Sequence, residues 1–404
     1  MFVSQVHGPA RSDLPAGATA NAQVAVVGIT HPQTCLNLTG RLAALRQAGF
    51  RVILVSSPGE LLQSTAAEQD AEAVPLQICR KIAPLSDLVS FIRLWLLMRR
   101  LRPRLVEFSS PKAGLLGTIA ARFARVPVRI YMLRGLRLET AAGMKRHMLL
   151  TAERAAAACA HVVLCNSDSV RTLALRLGIA PAAKLALLGH GSTNGVDTSR
   201  FSPGPAGLRR NLGFALSDPV IGFVGRFTRD KGIPELLASF HEILRFEPSA
   251  RLLLAGWFDE AEDALDAGIR AHILDHPRIH CTEGRVADTA PYYRAMDLLV
   301  LPTWREGFPN VVLEASSTAI PVITTDSTGA RDSVVPEVTG LLIPPGCPEA
   351  ITAAVLKLIR NSACRARMGS AGRAWVMENF SRHAVLDRTI AFYKSLADQS
   401  QARL

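Results

Sequence analysis

Long uncharged apolar runs are missing from this 404-residue sequence. No stretch of about 18 such residues occurs, so we predict no transmembrane helix. The first residues lack a basic start followed by an apolar core, so no secretory signal is expected, and residues 1–22 are interpreted as a disordered leader. Hydrophobic residues make up 49% of the chain and charged residues 20%. This composition excludes a disordered protein, and the length allows two domains, each with its own core.

Closely spaced cysteines and metal-binding clusters are also missing. The seven cysteines are scattered, and no pair has the spacing of metal ligands. An odd, scattered set in a long chain is typical of free thiols in a reducing compartment, so we expect a cytoplasmic protein. His272, His276 and His280 recur every four residues, but Pro277 interrupts the helix that would align them. No metal site is therefore expected.

Acidic residues are scarce in the first half of the chain. Residues 1–200 contain 24 Lys+Arg and 11 Asp+Glu, which leaves 22 and 23 for residues 201–404. Solubilising charge would be spread over both halves, so we interpret the asymmetry as a surface for an anionic partner, in particular an anionic membrane. The sequence lacks a basic stripe interleaved with aromatic residues, so nucleic acid is not expected as a partner.

Short apolar runs rich in β-branched residues alternate with helix-length segments along the chain. The predicted strands are Val24–Val27, Arg51–Ser56, Leu105–Phe108, Val128–Leu133, Val162–Cys165, Val220–Val224, Arg251–Ala255, Ile279–Cys281, Leu298–Leu301 and Val322–Thr324. The predicted helices include Leu36–Ala48, Pro234–Leu244 and Val311–Thr318. This alternation predicts an α/β fold with parallel sheets covered on both faces.

The Gly-, Pro- and Ser-rich stretch 191–218 interrupts the alternation and is interpreted as a linker. It separates two predicted Rossmann-like domains, at 23–190 and 219–380. Residues 381–404 are predicted to form a C-terminal helix that packs back on the first domain. Two such domains leave a deep cleft, lined by strand ends, in which a ligand can bind.

The segment Leu85–Leu101 is strongly apolar and has arginines set into it, and its apolar positions exceed one helical face. Two interpretations remain open. One is a core helix beneath the sheet. The other is an interfacial helix that contacts a membrane through Trp95 and the flanking arginines.

Two segments of the second half share one design, in which a strand, a polar loop and a proline-initiated helix follow one another. In the first, a strand leads into Gly225-Arg226, the loop reaches Lys231, and Pro234 begins the helix. Helix N-termini carry free backbone N–H groups that suit an anion. Arg226 and Lys231 add two cations suited to a diphosphate, and Gly225 allows close approach of the backbone.

In the second segment, the loop carries Glu306-Gly307 and Pro309 begins the helix. The N-termini of both helices are therefore predicted to point into the same crevice at the strand ends. Glu314 follows about one to two turns into that helix. Carboxylates accept hydrogen bonds from paired hydroxyl groups, so a sugar and a ribose are plausible partners of these two glutamates.

These residues resemble the retaining family-4 glycosyltransferases of the GT-B fold. The resemblance rests on EGFPNVVLE, a Glu-x7-Glu motif, and on the upstream GRFTRDKG. The connecting Asn-Gly-Val-Asp and the runs TTDSTGARDSVV, TGLLIPPG, SPKAGLLG and LRGLRLET match as well. The resemblance covers nearly the whole chain after residue 24 and is strongest to the branch of capsule and exopolysaccharide transferases.

The resemblance implies a role for each motif residue. Arg226, Lys231 and Glu306 would form the catalytic set, with the two cations on the donor diphosphate and Glu306 on the sugar. The other implied donor-binding residues are Gly225, Arg285, Val286, Gly307, Phe308, Asn310 and Glu314. Among these, Glu314 would hold the ribose hydroxyls, and Arg285-Val286 would lie near the base.

The first half departs from the wider family. Many members have a glycine pair after the first strand, where this sequence has only Gly28 followed by Ile29, Thr30 and His31. Many also have a histidine where this chain has Arg134, which cannot act as a base and would instead contribute charge to phosphates. Ser109-Ser110-Pro111-Lys112 looks like a capped helix start for an acceptor phosphate. The candidate acceptor-side residues are therefore Gly28, His31, Lys112 and Arg134.

The implied activity is a metal-independent, retaining transfer from a nucleotide sugar, expected to be a UDP-sugar, with no cofactor. The expected acceptor is a lipid-diphosphate-linked saccharide or growing polysaccharide at the cytoplasmic face of the inner membrane, in bacterial surface polysaccharide synthesis. One alternative is a nucleotide-sugar 2-epimerase on the same fold, which needs a base near the sugar C2 that no motif marks. Another is a basic nucleic-acid-binding protein, which would leave the donor-site residues unexplained.

Overall fold

The computed structural model describes residues 22–79, 83–109, 111–260, 263–282 and 284–402. The predicted leader falls outside these ranges apart from Ala22, and so does Ser110 of the predicted helix cap.

A sheet of seven parallel strands forms the first domain within the described residues. The strands are β1 (Val24–Gly28), β2 (Arg51–Ser56), β3 (Glu72–Pro75), β4 (Leu105–Ser109), β5 (Val128–Leu133), β6 (Val162–Cys165) and β7 (Leu185–Leu187). Their order is β3-β2-β1-β4-β5-β6-β7, and every residue of the central strands β4 and β5 is buried. The helices are α1 (Arg41–Gln47), α2 (Glu60–Glu68), α3 (Pro84–Leu101), α4 (Pro111–Phe123), α5 (Gly143–Cys159) and α6 (Asp168–Arg176).

The second domain repeats this plan with six described parallel strands. They are β8 (Val220–Phe227), β9 (Arg251–Phe258), β10 (Ile279–Cys281), β11 (Leu298–Leu301), β12 (Val322–Thr325) and β13 (Gly340–Ile343), in the order β10-β9-β8-β11-β12-β13. Its helices are α7 (Gly207–Asn211), α8 (Ile233–Phe246), α9 (Ala267–Asp275), α10 (Ala290–Ala295), α11 (Asn310–Ser317), α12 (Pro348–Arg360) and α13 (Ser362–Asn379). The predicted α/β fold of two Rossmann-like domains is confirmed.

The chain crosses between the domains twice, and the two crossings lie side by side. The N–H of Val196 donates to the carbonyl of Phe380, and the N–H of Arg382 donates to the carbonyl of Val196, both at 2.8 Å. After the second crossing, α14 (Arg382–Gln401) returns to the first domain. There the hydroxyl of Tyr393 donates to Glu107 of β4 at 2.6 Å.

Some predicted bounds of individual elements are wrong. The helix expected over Leu36–Ala48 is two helices, a 3-10 helix at Pro32–Leu38 and α1, because Gly40 between them adopts a left-handed φ of 78°. Strand β8 continues through Arg226 to Phe227 instead of ending at Val224. The side chain of Arg226 is therefore anchored on a strand paired along its length with β9.

Candidate active site

Residues that follow strand ends in both domains line one cavity of about 430 Å³ in the cleft. The loops after β1, β5 and β6 contribute from the first domain, and the ends of β8, β9 and β11 contribute from the second. The lining residues that carry charge, hydrogen-bonding groups or aromatic rings include His31, Asn37, Arg134, Asn166, Arg226, Lys231, Trp257, Arg285, Glu306, Phe308 and Asn310. The cavity lies at the carboxyl ends of parallel strands, where ligands bind in open α/β sheets.

Arg226 and Lys231 both line this cavity, as the sequence predicts. The guanidinium of Arg226 is held by Asp259 at 2.8 Å and lies 3.8 Å from Asp230. Burial alone would lower the pKa of Arg226, but the hydrogen bond to Asp259 and the charge of Asp230 raise it above its usual value. Arg226 is therefore a permanent cation with a fixed direction.

The ammonium of Lys231 forms an ion pair with Glu306 at 2.5 Å, and both side chains are largely buried. This contact joins the loop after β8 to the loop after β11. The turn behind it is tight, since a Cβ on Gly232 would lie 2.0 Å from the carbonyl oxygen of Pro302. Gly232 has a φ of 74°, so glycine is required here for both conformation and space.

Asp230 is buried next to Arg226 and Lys231 and holds their loop in place. Its carboxylate accepts a hydrogen bond from the hydroxyl of Thr228 at 2.6 Å and forms an ion pair with Arg305 at 3.3 Å. Burial would raise the pKa of Asp230, but the neighbouring charge of Lys231 and the Thr228 hydrogen bond together hold it below its usual value. Asp230 therefore stays ionised and fixes the loop that carries Lys231.

Gly307 is the point at which the two domains touch across the cleft. A Cβ at this position would lie 1.9 Å from the carbonyl oxygen of Arg134. In the amide orientation that satisfies its neighbours, Asn166 donates to the carbonyl of Gly307 and accepts from the N–H of Phe308, both at 3.3 Å. Elsewhere along the cleft, Ser169 contacts Asp332 by a hydrogen bond. The cleft is therefore closed around the cavity.

The first turn of α11 faces the cavity through Asn310 and Val311, with Pro309 at the cap position. The N-terminus of α8 was predicted to face the same crevice, but among its neighbours only Lys231 lines the cavity. One helix N-terminus therefore supplies backbone N–H groups here.

Glu314 lies one turn further along α11, behind the cavity wall. Its carboxylate accepts a hydrogen bond from the hydroxyl of Tyr293 at 2.7 Å. Burial raises the pKa of Glu314 from 4.5 to about 7, although the Tyr293 hydrogen bond acts in the opposite direction. The group therefore titrates near neutral pH.

Arg285 and Trp257 form the end of the cavity on the second domain. The guanidinium carbon of Arg285 lies 5.1 Å from the centroid of the Trp257 ring, a cation–π contact. Val286 packs instead against the hydrophobic core of this domain. A flat aromatic face beside a planar cation suits a nucleobase.

A second chamber of about 260 Å³ adjoins the first and shares Arg134, Arg226, Lys231, Glu306 and Gly307 with it. The side chains that it adds include Arg137 and Arg305, and Glu306 is the only carboxylate among the described residues that line it. This chamber is strongly cationic and suits an anionic group.

Arg134 carries a buried charge without a matching hydrogen bond among the described residues. Its three guanidinium nitrogens are buried, and Glu107 lies 3.9 Å away. Burial lowers the pKa of Arg134 to about 10, and Glu107 limits that shift. Glu107 is itself committed to Arg41 at 2.6 Å and to Tyr393.

The other acceptor-side candidates are divided. His31 lines the larger cavity and caps the 3-10 helix by accepting from the N–H of Gln33 at 3.3 Å. Gly28 lies inside the domain, where a Cβ would overlap the ring of Phe108. Lys112 forms an ion pair with Asp87 of α3 at 2.6 Å and does not line either chamber.

Three functional candidates are missing from the sequence-based prediction. Asp230 belongs to the GRFTRDKG motif, in which the sequence predicts a role only for the cations Arg226 and Lys231. Asn166 directly follows the predicted strand Val162–Cys165, so its position after a strand end was the available signal. Trp257 belongs to β9, which extends three residues beyond the prediction.

Two family models match the chain, one on each domain. A glycosyl transferase 4-like domain matches residues 39–191, and the model of glycosyl transferases group 1 matches residues 218–361.

Similar proteins include glycosyltransferases, one of which is named for capsular polysaccharide biosynthesis. The capsular polysaccharide biosynthesis glycosyltransferase CapM of Staphylococcus aureus is 35% identical over 367 residues, which cover 91% of this chain and 95% of its own length. An Escherichia coli UDP-Gal:alpha-D-GlcNAc-diphosphoundecaprenol alpha-1,3-galactosyltransferase is 26% identical over 66% of this chain and 69% of its own length. The structure of Anabaena HepE in complex with UDP-glucose has the same fold, with a TM-score of 0.76 at 20% identity over 92% of this chain and 99% of that one.

Proposed function

This chain belongs to the glycosyltransferase group 1 family, and on that premise we propose that it transfers a sugar, with retention, from a UDP-sugar to a lipid-diphosphate-linked acceptor. The observation that carries the proposal is the cavity between the domains in which Arg226, Lys231 and the first turn of α11 converge. Two cations and a helix N-terminus at one place favour a diphosphate.

We infer one orientation of the donor in the cavity. Its base would lie against Trp257 and Arg285 and its diphosphate between Arg226 and Lys231. Its ribose would lie on the part of the wall behind which Glu314 is buried. The sugar would then lie beside Glu306 and the backbone of Gly307. Support for uridine comes from relatives, since the Anabaena structure contains UDP-glucose and the Escherichia coli enzyme is named for UDP-Gal.

The transfer step needs no protein nucleophile. The bond between the sugar C1 and the phosphate oxygen breaks, and its electron pair stays on the diphosphate, where Arg226 and Lys231 stabilise the charge. The acceptor hydroxyl attacks C1 from the same face and gives its proton to the departing phosphate oxygen. The two cations replace a divalent metal in this scheme, so the reaction is metal-independent.

The acceptor would place its phosphates in the cationic second chamber, beside Arg137 and Arg305. The Escherichia coli relative, whose name specifies a diphosphoundecaprenol acceptor, and the capsular relative support this choice. Within the described residues no helix is long and apolar enough to cross a membrane. Because basic residues outnumber acidic ones in the first half of the chain, we propose that the protein binds the cytoplasmic face of the inner membrane peripherally, through its first domain.

A panel of nucleotide sugars, with product mass and anomeric configuration as readouts, tests the proposal. The expected result is a retained glycosidic bond, no loss of rate with a chelator, and a fall of about 10²–10³ in turnover for Arg226→Ala. Arg229→Ala is the matched control, because Arg229 is an exposed arginine of the same loop that pairs with Asp266. Absence of nucleoside diphosphate binding, or an epimerised free sugar as the product, would refute it.

A further inference from the structure

Helix α3 carries apolar side chains on two opposite faces. Ser90, Leu94 and Met98 form its buried face. The opposite face exposes Leu85 (83%), Leu88 (55%), Val89 (47%), Ile92 (41%) and Leu96 (53%). These five positions follow the i, i+3, i+4, i+7 spacing of one helical stripe. The interpretation as a core helix therefore holds for one face only, and the interpretation as a membrane-contacting helix stays a prediction. Trp95 lies partly buried on the core instead of on the exposed stripe.

The exposed stripe is unusual within this molecule. A helix on the surface of a globular domain normally presents polar residues to water. No other helix of the described chain has more than two exposed large apolar residues. A continuous apolar stripe of this kind marks an interaction surface.

Positive charge borders the stripe. Arg93, Arg99 and Arg100 are exposed on α3, and the single acidic residue of this helix, Asp87, is paired with Lys112. At the C-terminal end of α3, a cavity of about 980 Å³ is lined by Arg99, Arg102, Arg104 and Arg125, with no acidic side chain among its described lining residues. The partner of this face is therefore both apolar and anionic.

A bilayer containing anionic lipids has this chemistry, and a second copy of the chain does not. Two copies meeting through α3 would bring the same arginines face to face, because a twofold interface pairs a surface with itself. At a bilayer, the apolar stripe enters the boundary between headgroups and acyl chains while the arginines reach lipid phosphates. We propose that the exposed stripe Leu85–Leu96 and its flanking arginines form the membrane-binding surface of this protein.

This surface also orients the cleft. The ion pair between Asp87 and Lys112 ties the first turn of α3 to the first turn of α4, and Pro111 at that point lines the cationic chamber. The stripe therefore starts near the rim of the chamber and runs for about 16 Å along the helix. Only the purpose of this surface rests on the proposed lipid-linked acceptor. Docking through α3 would bring the lipid headgroups to the chamber that would receive the acceptor phosphates.

Flotation of the full-length chain with lipid vesicles tests the proposal. Vesicles of phosphatidylcholine alone are compared with vesicles that contain phosphatidylglycerol. The triple variant Leu88→Ser, Ile92→Ser, Leu96→Ser should lose at least about tenfold of its affinity for anionic vesicles. The matched control is Leu216→Ser, Leu274→Ser, Val338→Ser, three exposed apolar residues of the second domain, and it should bind as the unmodified chain does.

A charge variant separates the electrostatic contribution to vesicle binding from the apolar one. Arg93→Gln with Arg100→Gln should weaken binding to anionic vesicles and make the remaining binding less sensitive to salt. Unchanged binding of the apolar triple variant would overturn the proposal. So would a dimer of the unmodified chain that the triple variant abolishes, since the stripe would then be a contact between copies.

The result is independent of the proposed chemistry. UDP binding, followed by calorimetry without lipid, should be equal in the triple variant and the unmodified chain. Loss of vesicle binding with intact UDP binding supports the membrane surface. Vesicle binding without any UDP binding would instead refute the proposed function and leave the surface standing.

Discussion

Lys231 and Glu306 form an ion pair of 2.5 Å that lies in the wall shared by both chambers. In this pair, Glu306 binds the Lys231 ammonium that the proposed diphosphate needs. Donor binding would therefore exchange one anionic partner of Lys231 for another, and Glu306 would be released towards the sugar hydroxyls. In the proposed complex the two residues would act on different parts of the same donor.

We expect Glu306→Gln to separate binding from transfer. Loss of the competing carboxylate should leave UDP affinity equal or higher, whereas the turnover number should fall by about 10²-fold, because the charge beside the sugar is lost. Lys231→Ala should weaken both. In a double-mutant cycle the two effects should not add, since the residues are in direct contact. Calorimetry with UDP and steady-state transfer rates measure them, and strictly additive effects would contradict the coupling.

Gly307→Ala should prevent closure of the cleft. The added Cβ would overlap the carbonyl oxygen of Arg134 and come within 2.7 Å of the Asn166 amide. Transfer should fall by about 100-fold because the two half-sites no longer meet, while UDP binding to the second domain persists. Gly207→Ala is the control, since a Cβ there meets nothing within 4 Å. Small-angle scattering should show a larger radius of gyration only for Gly307→Ala.

Arg41 and Arg134 belong to one buried cluster but should respond oppositely to substitution. Arg41 pairs directly with Glu107, so Arg41→Met should cost about 3–5 kcal/mol of unfolding free energy by leaving that carboxylate unpaired. Arg134 has no hydrogen-bond partner in the described chain, so Arg134→Met should leave stability unchanged or raise it by about 1 kcal/mol. Transfer should nevertheless fall in Arg134→Met. Urea unfolding measures the stability of both variants. Equal destabilisation by Arg41→Met and Arg134→Met would contradict the different pairing of the two arginines.

Donor binding should depend on pH through Glu314. Burial raises its pKa to about 7, and an ionised carboxylate accepts ribose hydroxyls better than a neutral one. UDP affinity should therefore increase several-fold as the pH rises from about 6 to about 8. Glu314→Gln should flatten this dependence, as calorimetry at several pH values would show. A slope that survives in Glu314→Gln would assign the titration to another group.

The same group affects stability in the opposite direction. The folded state holds the Glu314 proton more tightly than the unfolded chain, whose pKa is near 4.5. Its contribution to the free energy of unfolding is therefore full below about pH 4.5 and is lost as the pH rises to about 7. Glu314→Gln should reduce this slope without abolishing it, because burial also raises the pKa of Glu153 to about 7.

Strand positions were accessible from the sequence because buried parallel strands are continuous apolar runs. The predicted bounds of β2, β5, β6, β10 and β11 coincide with the structure. The break at Gly40 was missed because the apolar periodicity runs across it, although glycine readily adopts the left-handed φ of 78° that separates the two helices.

The sequence predicts the part of the candidate site that lies on the two strand–loop–helix segments of the second domain. Arg226, Lys231 and Glu306 follow apolar runs on neighbouring strands, so their meeting could be predicted. The contact of Gly307 with Arg134 depends on how two domains dock, which no local pattern encodes. The same holds for Lys112, whose neighbour Asp87 on another helix takes up its charge.

The two crossings at Val196 and Ser381 lie side by side. Because both connections between the domains pass close to one point, we expect this point to act as a hinge, with residues far from it travelling furthest when the domains separate. Gly307 and Gly135, which touch in the closed state, would part as the cleft opens to release the spent nucleotide. Turnover can then be limited by this rotation instead of by bond breaking, so a disulfide placed across the hinge should leave the rate unchanged, whereas one across the mouth of the cleft should stop the enzyme after a single cycle.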